Sequence, residues 1–271
     1  MRISFILFSI LYLIGYVFAK DFGESYRVLI ITGKDVKPVR LTIEGFFSEY
    51  SREMCKVISV EAVSSEMLKV SDVVVALTSE AAFYVKQNST KDKVNVYALV
   101  LMPDVLGLMK NFVGFSIYPD FEQVFRDFKS RYPTVKRVGL LYNTMNYAVD
   151  FAYQSLKKNS LQAIHLKIDN FNFRNIGKNL GNVDAVYFFS DAMVLDEENL
   201  LFLIKSIKSQ NKIIISSHKV LLDYGVDIVY VLDYFELGRM IALYVKEGIV
   251  KQAESIGRIF FPSKFNVIEK T

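Results

Sequence analysis

The hydrophobic and polar positions along the chain alternate between short apolar runs and amphipathic segments. Most of the runs are continuous and rich in β-branched residues, and they occupy positions 28–31, 57–60, 73–77, 94–102, 138–142, 164–168, 185–189, 213–215 and 228–232. Strands that are buried on both faces of a parallel sheet have this pattern. We therefore expect these runs to form the strands of parallel sheets.

The segments between the runs carry a helical period. In one of them the apolar residues are spaced i, i+3, i+4 and i+7, at Phe121, Val124, Phe125 and Phe128. Asp120 is placed to cap this helix, and Pro133 follows its end. The same period recurs at positions 43–50, 148–156, 200–207 and 238–245. Strands that alternate with helices predict an α/β fold with parallel sheets.

Two lobes explain the length better than one wide sheet. A single core rarely extends beyond about 250 residues, and this chain has 271. Residues 73–81 also resemble residues 185–192, since in both a buried strand runs into a hydroxyl residue, an acidic residue and Ala. We predict two Rossmann-like lobes, each a parallel sheet flanked by helices, with a ligand cleft between them. Residues 20–117 with a helix at 233–250 form the first lobe, and residues 118–232 with the tail 251–271 form the second.

The first residues have the three-part layout of a secretory signal peptide. Arg2 supplies a positive charge, residues 3–18 carry none, and Ala19 stands before the charged residue Lys20. The uncharged run is shorter than the roughly 20 residues that a membrane-spanning helix needs. We expect cleavage after Ala19, which removes residues 1–19 and leaves a periplasmic or secreted protein. An uncleaved leader that anchors the chain to the membrane is the alternative.

The composition narrows the function classes. The chain is 52% hydrophobic and has a net charge of +4 from 33 basic and 29 acidic residues, which argues against a disordered protein and against a nucleic-acid binder. Cys55 is the sole cysteine, so a disulfide scaffold is excluded. The two histidines and the cysteine lie far apart in the sequence and give no metal-ligand spacing, and the glycine motifs of nucleotide binding are absent. We expect no cofactor.

Polar residues follow several of the predicted strands. They stand at Thr78-Ser79-Glu80, Met102-Pro103-Asp104, Tyr142-Asn143, Ser190-Asp191 and Ser216-Ser217-His218. In open parallel sheets, ligands bind beyond the carboxyl ends of the strands, so these groups suit hydrogen bonding to a small polar ligand. The same residue types also cap helices at such places. His218 beside two serines leaves open a general-base role in a hydrolase.

A set of motifs occurs in order between residues 72 and 250. The motifs are Ala76-Leu-Thr-Ser-Glu-Ala-Ala82, Val113-Gly-Phe-Ser116, Lys136-Arg-Val-Gly-Leu-Leu-Tyr-Asn143 with Asn146, Val183-Asp-Ala-Val-Tyr187 with Ser190-Asp191, and Lys212-Ile-Ile-Ile-Ser-Ser217 with Asp233-Tyr-Phe-Glu-Leu-Gly-Arg239. In this order they resemble the ABC transporter substrate-binding proteins of the tryptophan/tyrosine-binding type. The chain departs from that family at Pro103-Asp104, where the family has Asp-Pro, and at Asn146-Tyr147, where it has Asn-Ser.

The resemblance implies a periplasmic-binding-protein type I fold that closes on a small polar ligand, such as an amino acid. The hinge would lie near Tyr118, Leu232 and Lys251. A protein of this family would deliver its ligand to an inner-membrane permease that works with a cytoplasmic ATPase. We expect a monomer that is not an enzyme. A ligand-sensing module for a signalling partner, a relative that has lost its ligand, and a two-lobed hydrolase stay open as alternatives.

The resemblance also implies which residues face the ligand. The positions that match the family are Thr78, Asn143, Asn146 and Asp191, and placement at strand ends adds Ser79 and Ser217. For an amino acid, we expect Asp191 to pair with the α-ammonium. Thr78, Ser79 and the N–H groups of the adjacent helix start would hold the α-carboxylate.

Overall fold

Two six-stranded sheets organise the chain in the structure, a computed structural model that describes residues 27–89, 93–169, 176–247 and 255–270. The predicted leader, residues 1–19, lies outside these ranges. Within the described ranges, none of the helices combines the length and the apolar character that crossing a bilayer requires.

The strands of the described ranges mostly coincide with the apolar runs. They are β1 (Val28–Thr32), β2 (Cys55–Ser59), β3 (Val73–Leu77), β4 (Val94–Ala98), β5 (Phe112–Phe115), β6 (Arg137–Tyr142), β7 (Gln162–Lys167), β8 (Ala185–Phe188), β9 (Ile213–Ser216), β10 (Ile228–Leu232), β11 (Ile259–Phe260) and β12 (Phe265–Glu269). The predicted run 94–102 is too long, because β4 ends at Ala98 and Leu99 then takes a left-handed backbone conformation with φ of 59°.

The two sheets have equivalent strand orders. The first runs β11-β5-β4-β3-β1-β2, and the second runs β12-β10-β9-β8-β6-β7. All the pairs are parallel except β10 with β12, which is antiparallel. The similar segments 73–81 and 185–192 begin with β3 and β8, which occupy the same position in the two sheets. The predicted α/β fold of two Rossmann-like lobes is confirmed.

Helices cover both faces of each sheet. They are α1 (Lys37–Glu49), α2 (Ser65–Val70), α3 (Ser79–Asn88), α4 (Phe121–Arg131), α5 (Tyr147–Lys158), α6 (Ile176–Asn179), α7 (Ala192–Leu195), α8 (Glu197–Lys208), α9 (Leu221–Tyr224) and α10 (Tyr234–Lys246), with short 3₁₀ turns at Arg52–Met54 and Leu180–Asn182. Asp120 caps α4 as predicted, since its side chain accepts a hydrogen bond from Glu122 N at 2.9 Å.

Helix α10 follows the second sheet in sequence but packs on the first. Leu237 and Ile241 are fully buried in a core that also contains residues of β1, β3 and β4. A Cβ atom on Gly238 would lie 1.9 Å from the carbonyl oxygen of Thr42, and one on Gly45 would lie 1.9 Å from that of Phe235. Glycine at both positions therefore lets the backbones of α1 and α10 touch.

The tail divides between the two sheets. The sequence interpretation placed all of residues 251–271 with the second lobe, and β12 does pair with β10 there. Strand β11 instead pairs with β5 of the first sheet. The physical reason is that β5 would otherwise be an edge strand with free N–H groups. Gly114 N donates to Arg258 O and Ser116 N donates to Phe260 O, both at 2.9 Å.

The chain crosses between the lobes after β5, after β10, and between β11 and β12. The last of these segments is bonded to both of the others. Asp120 N donates to Pro262 O at 2.8 Å, and Asp233 N donates to Lys264 O at 3.3 Å. The predicted hinge residues Tyr118 and Leu232 lie in or beside the first two crossings, whereas Lys251 falls outside the described residues. The crossings form a connected ribbon between the lobes.

Candidate functional site

A cavity of 340 Å³ lies between the lobes beside the second crossing. Lys37 and Leu41 line it from α1 of the first lobe, and Ser217 and His218 line it from the loop after β9 of the second. Asp233, in the crossing itself, also contributes to the wall. The cavity therefore gathers polar and charged groups from both lobes, at the edge where the strands end.

Asp191 ties two neighbouring loops of the second lobe together. Its Oδ2 atom accepts hydrogen bonds from Asn143 N at 3.1 Å and Thr144 N at 3.0 Å, and its Oδ1 atom accepts one from Met193 N at 3.0 Å. The side chain is buried. These bonds use three of the roughly four lone-pair sites of a carboxylate. Little acceptor capacity remains for the ammonium group that the sequence interpretation assigned to Asp191.

Asn143 is anchored within the second lobe. Its Nδ2 atom donates to Ile168 O at 2.9 Å, and its Oδ1 atom accepts from the hydroxyl of Thr144 at 3.1 Å. The loop after β6 is therefore held from both sides, by Asp191 on the backbone and by the asparagine side chain. Such a loop needs no ligand to keep its shape.

Asn146 caps helix α5, and the first lobe reaches the same helix start. The Oδ1 atom of Asn146 accepts hydrogen bonds from Ala148 N at 3.0 Å and from Val149 N at 3.3 Å. Tyr147 N, the first N–H of α5, donates instead to Oδ2 of Asp104 at 3.2 Å. Asp104 follows β4 in the first lobe, so this bond spans the two lobes.

Thr78 holds a strained backbone conformation at the end of β3. Its φ is 113° and its ψ is 158°, a combination that glycine alone adopts readily. Its hydroxyl caps α3 by accepting from Ala81 N at 3.4 Å, and Ser79 is the first residue of that helix. The loop after β1 packs directly on Thr78, since a Cβ atom on Gly33 would lie 2.5 Å from its Oγ1 atom. Strain of this kind is concentrated at functional sites.

Ser217 and His218 follow β9 and contact the neighbouring strand β8. The Ser217 hydroxyl is hydrogen-bonded to the hydroxyl of Tyr187, and Nε2 of His218 contacts Oγ of Ser190. Burial lowers the pKa of His218 to about 4, so the imidazole is neutral near pH 7. Ser190 precedes Asp191, which places these contacts next to the loops that Asp191 organises.

The first crossing is bonded to the same loops. The hydroxyl of Tyr118 accepts from Ser190 N at 3.1 Å, and Tyr118 N donates to Oγ of Ser116 at 3.0 Å. Oγ of Ser116 also lies 3.3 Å from the hydroxyl of Tyr147. A conformational change in the crossing would therefore alter contacts at the carboxyl end of β8 and at the start of α5.

The structure distributes the predicted site residues over both lobes. Thr78 and Ser79 lie in the first lobe at α3, and the second lobe carries Asn143, Asn146, Asp191 and Ser217. Asn143 and Asp191 are directly bonded. The hydrogen bonds recorded for the described residues do not connect Thr78 or Ser79 to the second lobe.

Sequence reasoning missed the roles of Asp104, Tyr147 and Ser190. Asp104 stood among the polar strand ends, but its bond to the other lobe depends on how the lobes meet, which no local pattern reveals. Ser190 was part of a motif, and its contact with His218 requires β8 and β9 to be neighbours. Across the described ranges, His, Cys, Asp and Glu side chains form no group of three or more that is suited to hold a metal ion.

Solved structures of substrate-binding proteins share the architecture. A ligand-free, open substrate-binding protein with adhesive properties from Clostridium difficile matches with a TM-score of 0.62 and 18% identity, covering 90% of this chain and 92% of that one. An ABC domain in complex with L-Trp from Streptococcus pneumoniae matches with a TM-score of 0.53 and 18% identity, covering 89% of this chain and 91% of that one. The arabinose-binding protein AraP from Geobacillus stearothermophilus matches with a TM-score of 0.55 and 6% identity, covering 90% of this chain and 97% of that one. The chain therefore has the fold of ABC-type solute-binding proteins, known as periplasmic binding protein type I.

One curated protein also resembles the sequence. The tyrosine-binding protein of Clostridioides difficile (strain R20291) is 26% identical over 194 residues, which cover 65% of this chain. The matched region spans 55% of the length of that relative. No family model matches the chain.

Proposed function

We propose that this chain is the exported solute-binding component of an ABC transporter. It captures a small polar ligand, an amino acid or a related compound, between its lobes by hinge closure. It then delivers the ligand to an inner-membrane permease that works with a cytoplasmic ATPase. The shared fold and the tyrosine-binding relative support this proposal.

The observation that carries the proposal is the preformed set of polar loops at the strand ends of both lobes. The loop after β6 is held by Asp191, and the start of α3 is held by Thr78. These bonds are internal to the protein, so the cleft keeps its shape before a ligand arrives, as binding sites for small molecules usually do. Such preorganisation reduces the ordering cost of binding.

The ligand contacts follow from this placement. Thr78, Ser79 and the start of α3 would hold a carboxylate, because a helix N-terminus carries partial positive charge and free N–H groups. Asn143 and Asn146 would add polar contacts from the second lobe, and Ser217 would contribute at the cavity. Asp191 would keep the loop after β6 in place.

The compartment follows from the leader. Cleavage after Ala19 would export the mature chain to the periplasm or the medium, where a binding protein meets its ligand before the permease does. We take the protein to act as a monomer. A sensing role would use the same cleft, and a permease gene and an ATPase gene beside this one would favour transport.

A thermal-shift panel of amino acids and other small metabolites tests the proposal. A ligand at about 100 times its dissociation constant stabilises the native state by about 2.7 kcal/mol, which moves the unfolding midpoint measurably. Asn143→Ala should weaken this response. Asp223→Ala, at an exposed position on α9, is the matched control and should leave it intact. If no compound of the panel shifts the midpoint of the unaltered protein, the proposal fails.

The contact between Ser190 and His218 supports a second candidate, a hydrolase with Ser190 as nucleophile and His218 as general base. The imidazole is neutral and can accept a proton, but its pKa of about 4 lies well below the pH near which a general base works best. The hydrogen bonds recorded in the described part of the chain give His218 no carboxylate partner, the group that orients the base in a triad. Turnover of an ester panel that is lost in both Ser190→Ala and His218→Gln would support this candidate, and no turnover by the unaltered protein would reject it.

A further inference from the structure

Two buried polar atoms of the first lobe have no hydrogen-bond partner. They are the hydroxyl oxygen of Tyr97 and the Oδ1 atom of Asp104, and the described residues contain no other buried side-chain oxygen or nitrogen in that state. Buried polar groups are nearly always paired, because an unpaired one costs about 1–3 kcal/mol. Each such group in a native structure needs an explanation.

The two atoms belong to neighbouring parts of β4 and the loop that follows it. Tyr97 is 1% exposed. Burial raises the pKa of its hydroxyl, and the nearby charge of Asp104 raises that pKa further. Opposite Tyr97 in the sheet stands Gly114, where a Cβ atom would lie 2.2 Å from the hydroxyl oxygen. The glycine therefore provides the space that the hydroxyl occupies.

Asp104 also stands where the lobes meet. Its Oδ2 atom accepts the hydrogen bond from Tyr147 N at the start of α5, so the carboxylate faces the second lobe. It follows the carboxyl end of β4, the edge at which open parallel sheets bind ligands. Its second oxygen is buried beside this contact without a donor.

Asp104 and Asp191 differ in the acceptor capacity that they keep. Asp191 accepts three backbone hydrogen bonds through its two oxygens. Asp104 accepts one, and the whole capacity of Oδ1 remains. Of these two carboxylates at the strand ends, Asp104 is the one that can take a multiply donating group.

We infer that Asp104 and the Tyr97 hydroxyl form the subsite for a cationic head group of the ligand, a primary ammonium. An ammonium has three N–H donors, so it can bond to Oδ1 of Asp104 and to the oxygen of Tyr97, and its charge offsets the buried carboxylate. This inference rests on the proposed function, because it names the part of the cleft that recognises an amine. A ligand with a carboxylate as well would span from this subsite towards the helix starts.

The test compares amino acids with their des-amino analogues, which keep the carboxylate and side chain but lack the ammonium. Calorimetric titration of the unaltered protein should show a preference of about 100-fold for the amino acid. Asp104→Asn should reduce that preference to less than about 10-fold, because it should lower the affinity for the amino acid and leave the affinity for the des-amino analogue unchanged. Asp223→Asn, exposed on α9, is the matched control. An unchanged preference in Asp104→Asn would overturn the inference while leaving the proposed function intact.

Tyr97→Phe gives a second variant that keeps the test decisive if Asp104→Asn folds poorly. It removes a buried hydroxyl without a partner, so the ligand-free protein should become more stable. Affinity for the amino acid should nevertheless fall about 10-fold. Higher stability with unchanged affinity would overturn the inference.

A further measurement does not depend on the natural ligand. Thermal midpoints are compared in ethylammonium chloride and in tetramethylammonium chloride at equal concentration, because the second cation has the same charge and no N–H donor. Ethylammonium should raise the midpoint of the unaltered protein more than tetramethylammonium does, and the difference should vanish in Asp104→Asn. Equal effects of the two salts on the unaltered protein would contradict the subsite even if an amino acid binds elsewhere in the cleft.

Discussion

The carboxylate of Asp191 and the backbone of Asn143 are joined by a 3.1 Å hydrogen bond that connects the loop after β8 to the loop after β6. The same oxygen accepts from Thr144 N, and the other oxygen caps α7. This buried carboxylate thus sets the shape of two strand-end loops at once. We therefore propose that Asp191 positions these loops.

Asp191→Ala should therefore cost more stability than the loss of an ordinary helix cap. It removes the acceptor of three backbone N–H groups, those of Asn143, Thr144 and Met193, and we expect a loss of about 2–4 kcal/mol in the free energy of unfolding. Asp196→Ala is the control. Asp196 is exposed, and its side chain caps α8 by accepting a hydrogen bond from Asn199 N. It should cost about 1 kcal/mol. Equal losses in urea denaturation would contradict the positioning role.

The backbone of Thr78 predicts an unusual order of stabilities. Thr78→Ala and Thr78→Gly both remove the hydroxyl that caps α3, but glycine alone relieves the strain at a φ of 113°. The Gly variant should be about 1–2 kcal/mol more stable than the Ala variant, by urea denaturation. The opposite order, with Ala more stable as in an unstrained segment, would show that Thr78 is not held under strain.

The close approach of α1 and α10 predicts a clash at Gly238. A methyl group there meets the carbonyl oxygen of Thr42, so Gly238→Ala should separate the helices and destabilise the protein by about 1–3 kcal/mol. Gly181→Ala is the control, because no atom lies within 4 Å of a Cβ at that position. Its effect should stay within about 0.5 kcal/mol. Equal effects on the thermal midpoint would contradict the contact.

The buried imidazole of His218 predicts a loss of stability on acidification. Its pKa falls from 6.5 to about 4 on folding, so between these values the unfolded chain binds more protons than the native state. The free energy of unfolding should therefore fall as the pH falls through this window, by about 2 kcal/mol from this residue. In His218→Gln this contribution to the pH dependence should be absent when the free energy of unfolding is measured by urea denaturation at about pH 7 and about pH 4.5. If the variant keeps the full pH dependence, the imidazole is not buried as described.

The sequence predicted the features that depend on local pattern. The runs at 73–77 and 185–189 match β3 and β8 closely, because a strand between two neighbours in a helix-covered sheet is apolar on both faces. The cap at Asp120 was also readable, since a cap needs only its own helix start. The similarity between residues 73–81 and 185–192 indicated two lobes, and β3 and β8 do occupy the same position in the two sheets.

Features that depend on distant partners were not readable. Strand β11 has two residues, and its place is set by the free edge of β5 rather than by its own sequence. A β-branched residue disfavours the conformation of Thr78, so nothing in the local pattern predicted it. The bond from Tyr147 to Asp104 joins residues 43 positions apart in different lobes. The candidate site is therefore less predictable than the fold, because the meeting of the lobes creates it.

We propose above that a small ligand binds between the lobes at the strand ends. A crystal structure of the protein with the strongest compound from the thermal-shift panel tests it most directly. We expect density for that compound in the cleft, with contacts to the Thr78 loop of the first lobe and to the Asn143 loop of the second. Density confined to the outer surface of one lobe, with the cleft filled by protein side chains alone, would contradict it.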